Sequence, residues 1–301
     1  MSESRSDPMF LDLEDSLCDP VTSPVVVLPV PLERATSYIH GTAAGPAAIL
    51  EASQQVELYD EELRSEPCKE GIATSPALTD QGQSMPAFLE SLNDTVRGFL
   101  ESNKFVLSLG GEHTLTQAPV AAALSVHGTI GVVQFDAHAD LRNTFEGTPL
   151  SHACVMRRVH EMGIPALGVG IRSLSPAEAE FIDRQRLSMI WGQELGDLSL
   201  NRFRRSLRDL PRKIYLTFDV DFLDPSLIPA TGTPEPGGGF WWPTLALLRI
   251  LFEEKEVVAM DLVELAPIAD QRASDFAIAR LAYKCIAYRQ AARARRTASS
   301  G

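Results

Sequence analysis

The chain has 301 residues, 45% hydrophobic and 22% charged, enough to bury a sizeable core without disulfide or metal staples. Its 40 acidic residues outnumber 27 basic ones, for a formal net charge of -13. That balance excludes a general nucleic-acid binder, which needs a basic face, and a surface drawn to anionic lipid. No segment approaches the roughly 20 apolar residues of a membrane span. The acidic opening lacks the apolar stretch of a signal peptide. Cys18, Cys68, Cys154 and Cys285 form no CxxC pair, which fits four reduced thiols in a cytoplasmic protein.

In chain order, residues 1–22 read as a flexible or loosely docked acidic arm, 23–290 as one domain and 291–301 as a disordered tail. The domain opens on VVVLPVP from Val25. A helical pattern follows from Met85, then the apolar runs KFVLSLG from Lys104, TIGVVQFD from Thr129 and ALGVGIR from Ala166. A second helix is expected from Ser175, whose Ser-Pro start is a helix-initiating signal. LSMIW from Leu187, KIYLTFDVD from Lys213 and EVVAMDLVE from Glu256 complete the series. Runs with little polar alternation read as strands buried on both faces. Their alternation with helices predicts an α/β fold with a parallel sheet, whose ligands bind beyond the carboxyl ends of the strands.

Four runs stop at residues that bind metals. KFVLSLG leads to Gly110, Gly111, Glu112 and His113. TIGVVQF leads to Asp136, His138 and Asp140, KIYLTF to Asp219 and Asp221, and VVAMDLV to Glu264. In an extended segment alternate side chains share a face, so Asp136, His138 and Asp140 project together, as do Asp219 and Asp221. Four carboxylates in one crevice repel and resist ionisation. Two divalent cations cancel their charge, and an oxygen-rich set with two imidazoles suits Mn²⁺ over thiolate-loving metals. Such a pair lowers the pKa of a shared water and holds it against a substrate carbon. His152 is placed to shuttle protons to a leaving amine, and Glu264 to accept paired hydrogen bonds from a planar cation.

The bland readings stand beside these. An isolated Asp219–Asp221 pair is often a turn or a cap, and it also suits a metal-bound diphosphate in a sugar-nucleotide transferase. His113 or Glu264 alone reads as a satisfied loop histidine or a solvated strand end. His40, His127 and His160 read as structural or surface residues, Cys154 as a small buried thiol, and Gly237–Gly239 as a flexible turn near the site.

The segments GGEH with His113, DAHAD from Asp136 and TFDVDFLDPSLIPATGTPEPGG from Thr217 together resemble the ureohydrolases, the family of arginase and agmatinase. The likeness spans about residues 23 to 290, and SHACVMRR from Ser151 looks like the agmatinase subgroup. The resemblance implies a three-layer α/β/α sandwich with a central, mostly parallel sheet and two Mn²⁺ per subunit. By motif match, His113, Asp136, Asp140 and Asp219 hold one ion, and Asp136, His138, Asp219 and Asp221 the other. Asp140 also orients the attacking hydroxide, His152 matches the proton shuttle and Glu264 the carboxylate that grips guanidinium. A homotrimer or homohexamer follows from the same likeness.

The expected activity is conversion of agmatine to putrescine and urea, with a small cationic guanidino compound as substrate and no nucleic acid or membrane as partner. Rival substrates are N1-aminopropylagmatine, guanidinobutyrate, guanidine and arginine. A metal-binding regulator without turnover is the rival from another class, and intact His152 and Glu264 count against it.

Overall fold

A computed structural model describes residues 8–197 and 200–298. In chain order it contains β1 (Val25–Val30), α1 (Gly45–Ser53), β2 (Ile72–Thr74), α2 (Met85–Glu101), β3 (Phe105–Gly110) and α3 (Gln117–His127). These are followed by β4 (Gly131–Phe135), α4 (Val155–Glu161), β5 (Ala166–Ile171), α5 (Pro176–Gln185) and β6 (Ser188–Trp191). The chain closes with α6 (Leu200–Arg208), β7 (Lys213–Asp219), α7 (Trp241–Glu254), β8 (Glu256–Val263) and α8 (Ala273–Ala298). All seven expected strands form. The eighth, β2, was hidden because three residues at a sheet edge carry too little pattern to read.

The strands make one sheet in the order β2-β1-β3-β8-β7-β4-β5-β6, and every pairing is parallel. Alternate side chains feed two separate cores, as the period of two requires. On β7, Ile214, Leu216 and Phe218 face a core shared with α1, α6, α7 and α8. Tyr215 points the other way, into a core shared with α2, α3, α4 and α5. The result is the three-layer α/β/α sandwich expected. Each fully buried Val, Leu, Ile or Phe contributes about 1.5–3 kcal/mol, so the twin cores dominate stability.

Local signals set the helix ends. Ser84 caps α2, its side chain accepting from the Ala87 N–H. Ser175 and Glu178 form a reciprocal capping box on α5. Glu178 does a second job: its Oε1 accepts from the Leu141 N–H at 3.0 Å, tying down the chain just after Asp140.

Three expectations differ from the structure. Within the expected arm, residues 1–7 lie outside the described residues, but Phe10 and Leu11 are buried in the core. Their N–H groups donate to Thr74 Oγ1 and Ser53 Oγ, both at 2.8 Å. Acidic neighbours masked this apolar anchor. In the expected tail, α8 continues to Ala298 with Ala292 buried; residues 299–301 lie outside the described residues. The glycine turn is packed on one side only: Gly237 is exposed with open space around it, whereas Gly238 and Gly239 are buried against Phe222. The N–H groups of Gly237 and Gly238 donate to Asp224 Oδ2, and a β-carbon at Gly238 would collide with the Phe222 carbonyl.

Candidate metal centre

The four strands that deliver the polar clusters are neighbours: β3, β8, β7 and β4 lie side by side at the middle of the sheet. Their carboxyl ends therefore open into one crevice. Next to it in the chain lies an aromatic cluster of the core. The Phe135 and Phe218 rings stack at 5.5 Å, and Phe222 meets Phe135 edge-on at 5.0 Å. Asp136, Asp219 and Asp221 are the immediate chain neighbours of these rings, so packing below fixes the carboxylates above.

The convergence is not the strand alternation expected. β4 ends at Phe135, and Asp140 has a left-handed backbone, φ 52. β7 ends at Asp219, and Asp221 sits in a single 3-10 turn, Val220–Phe222. Turns rather than pleats aim these side chains. Gly111 is needed in the step from β3 to His113, because a β-carbon there would strike the Leu32 carbonyl.

His113 Nδ1 lies 3.1 Å from Asp140 Oδ2 and 3.3 Å from both Asp136 Oδ2 and Asp219 Oδ2. None of these oxygens meets it in hydrogen-bond geometry, so Nδ1 is a buried nitrogen with carboxylate neighbours but no hydrogen bond. His138 Nδ1 lies 2.8 Å from Asp221 Oδ2 and 3.7 Å from Asp136 Oδ1. The two oxygens of Asp136 thus face different histidines. Two groups fit a metal ion, His113–Asp136–Asp140 and Asp136–His138–Asp221, and their candidate ligand atoms lie within 4.8 Å of one another. Backbone amides hold the carboxylates in place. The N–H of His138 donates to Asp136, that of Asp221 to Asp219 and that of Ala137 to Asp221. A nitrogen facing three carboxylate oxygens without a hydrogen bond, in a set of hard oxygens and imidazoles, is the donor chemistry a pair of divalent cations fits.

The electrostatics make the same demand. Burial alone would depress the His113 imidazole, yet Asp136, Asp140 and Asp219 hold it well above its ordinary pKa. Burial, with the charges of Asp221 and Asp140, pushes Asp136 up to about 7. Burial and Asp221 also raise Asp219. Burial opposes ionisation of Asp221 too, but His138 brings it down to about 2. His138 is itself pushed up to about 11, against its burial, chiefly by Asp221. The cluster draws positive charge to itself.

The other expected site residues join the same crevice. His152 Nε2 lies 3.2 Å from Ser37 Oγ and its Nδ1 3.3 Å from Ser151 Oγ, while Phe145 packs edge-on against the ring at 5.6 Å. Glu264 Oε1 accepts from the His113 N–H at 2.6 Å, and burial pushes its carboxyl up to about 8. Ser37, Thr231, Gly232 and Thr233 complete the lining. Sequence reasoning missed Ser37 and Phe145, which lie in loops without a periodic pattern. Arg172 was missed as well. It donates to the carbonyls of Gly170, Asp221, Glu235 and Pro236 at 2.7–3.1 Å, tying the turn that carries Asp221 to the rim. His40 and His160 lie apart from the crevice, and Cys154 is a buried thiol pushed up to about 11 by burial. A larger hollow beside the N-terminal segment, lined by Pro8, Pro20, Pro29 and Pro31, carries no imidazole or carboxylate.

Fold and site define a class: a three-layer α/β protein with an acidic, imidazole-bearing crevice built for a pair of hard cations. The arginase family model matches residues 23–287, and the chain belongs to that family. It is 42% identical to the N(1)-aminopropylagmatine ureohydrolase of Synechocystis over 88% of each chain. It is 32% identical to the agmatinase of Pyrococcus horikoshii, over 85% of this chain and 88% of that one. Among solved structures, the agmatine ureohydrolase of Thermoplasma volcanium superposes with a TM-score of 0.82 at 27% identity, covering 90% of this chain and 91% of that one. The chain is an agmatinase-type ureohydrolase, a hydrolase acting on linear amidines. No helix among the described residues is long and apolar enough to cross a membrane.

Proposed function

We propose that the chain hydrolyses the guanidinium group of a polyamine precursor built on agmatine, with N1-aminopropylagmatine preferred over agmatine itself. The observation that carries the reaction is the gathering of six metal-ligand residues with His152 and Glu264 in one crevice. The preference for the longer substrate is supported by relatives of that name at 42%, 36%, 34% and 32% identity, against 32% and 33% for agmatinases. This revises the sequence-based expectation of agmatine.

His113, Asp136, Asp140 and Asp219 would hold one Mn²⁺, and Asp136, His138, Asp219 and Asp221 the other. When bound, the two ions supply a water of lowered pKa. The chain does the rest. Glu264 is a buried carboxylate whose ionisation burial opposes. A guanidinium, charged at any working pH and planar, supplies the missing counter-charge and two parallel donors. The His113 N–H holds Glu264 Oε1 in place, and the second lone pair of Oε1 together with Oε2 stays open to the two guanidinium donors. Asp140 orients the attacking water. The water oxygen bonds to the guanidinium carbon, and the C–N bond to the alkyl chain breaks. His152, held by Ser37 and Ser151, passes a proton to the departing nitrogen. Water and an alkylguanidinium become urea and an alkylammonium, so charge and atoms balance.

Urea release from Mn²⁺-loaded protein, with N1-aminopropylagmatine, agmatine and arginine in parallel, tests the reading. The highest kcat/KM is expected for the aminopropyl compound and the lowest for arginine. A preference for arginine would overturn the substrate assignment, and urea from none of the three would overturn the reaction.

A further inference from the structure

Asp261 is a carboxylate with no exposed surface, in the middle of β8, and no step of the reaction uses it. Burying a carboxylate is costly unless it is well hydrogen-bonded. Three hydroxyls converge on it. Thr116 Oγ1 donates to Oδ2 at 2.8 Å, Tyr215 OH to Oδ2 at 2.7 Å and Thr217 Oγ1 to Oδ1 at 2.7 Å. They come from the segment after β3 and from β7, the two strands flanking β8.

Thr217 continues the chain of contacts. Its Oγ1 lies 2.8 Å from His113 Nε2. A threonine hydroxyl has one proton, and here Asp261 takes it. The Thr217 oxygen can then only accept, so Nε2 must be the nitrogen that keeps its hydrogen. The other nitrogen, Nδ1, is the one that faces Asp136, Asp140 and Asp219. The network thus leaves Nδ1 as the one position on the ring where a proton and a metal ion compete. Among the described residues His138 Nε2 has no hydrogen bond of this kind; the rim carboxylate of Glu235 lies 3.9 Å from it.

We propose that Asp261, acting through Thr217, is a positioning residue for the metal ion on His113: it fixes the imidazole proton on Nε2 and so sets the affinity of that half of the centre. The inference rests on the two-metal reading above. Outer partners of this kind typically change metal affinity by about 10–100-fold when removed.

The test is Mn²⁺ titration of metal-free, full-length protein by calorimetry, with free Mn²⁺ followed by its paramagnetic resonance signal. Wild type should bind two ions. Thr217→Val keeps the shape and removes the hydroxyl; it should weaken one of the two ions about 10–100-fold and leave the other within a few fold. Thr217→Ser should restore both. Asp261→Asn, a second route to the same break, should show the same one-sided loss and serves if the valine variant does not fold. Two ions bound at wild-type affinity in Thr217→Val or Asp261→Asn would overturn the inference alone. Wild type that binds no Mn²⁺ would overturn the two-metal reading and the inference with it.

Discussion

The two halves of the proposed metal centre offer similar donor residues in different settings. The His113 side chain is 1% exposed, whereas that of His138 is 25% exposed. His113 is held from behind by Thr217, and its backbone N–H is bound by Glu264. His138 is held mainly through its backbone, its carbonyl accepting from Gln134 Nε2 at 3.1 Å, while its ring looks toward the rim. One half is thus built into the core and the other hangs at the mouth. On that reading, an ion in the deep half should be retained more tightly and an ion in the shallow half should exchange faster with solvent.

Asp136 belongs to both halves, so its removal erases the comparison. Asp136→Ala should cost urea release far more than the roughly 10–100-fold seen when an outer partner is lost. Both Mn²⁺ sites should weaken in a titration. A variant that still bound one ion at full strength would show that Asp136 does not bridge.

Removing each imidazole in turn sharpens the comparison. His138→Ala should lose one ion and keep most of the thermal stabilisation that Mn²⁺ confers, because the buried half persists. His113→Ala should lose more of it, since a buried carboxylate cluster is left without its imidazole. The check is the shift in melting temperature on adding Mn²⁺ to each variant; equal shifts would remove the distinction between deep and shallow.

The smallest effect is one of pH. The folded-state pKa of Asp136 is raised to about 7 by burial and neighbouring charge, and that of His113 is raised by its carboxylates. A raised pKa favours the metal-free fold at low pH, and that advantage fades as pH climbs from the ordinary carboxylate range through about 7. Mn²⁺ must displace the same protons, so its binding strengthens over that window. The Mn²⁺-induced shift in melting temperature should therefore be larger at pH 8 than at pH 6. A shift that shrinks with rising pH would contradict the sign.

Much of this was legible before any coordinates. Apolar runs revealed seven strands because strands of a parallel sheet are buried on both faces. DAHAD and DVD marked the candidate ligands because polar residues gather at strand ends. The aiming of those side chains was not legible: it rests on the left-handed backbone of Asp140, beside the Leu141 N–H held by Glu178, and on the 3-10 turn at Asp221, beside the Phe222 ring packed on Phe135 and Phe218. Asp261 was hidden for a related reason. It sits inside an apolar run, and its partners Thr116, Tyr215 and Thr217 come from segments far away in the chain. Ser37 and Phe145 reach His152 only after the loops fold over the crevice. Phe10 was lost among acidic neighbours, since one buried ring leaves no periodic signature.

The central claim is that one crevice, fed by four adjacent strands, holds two metal ions on the two histidines. Anomalous diffraction at the manganese edge, from crystals soaked in Mn²⁺, tests it directly. Two peaks about 3.5–4 Å apart are expected, one against His113 Nδ1 and the other against His138 Nδ1, with Asp136 between them. A single peak, or two peaks that do not share Asp136, would contradict it.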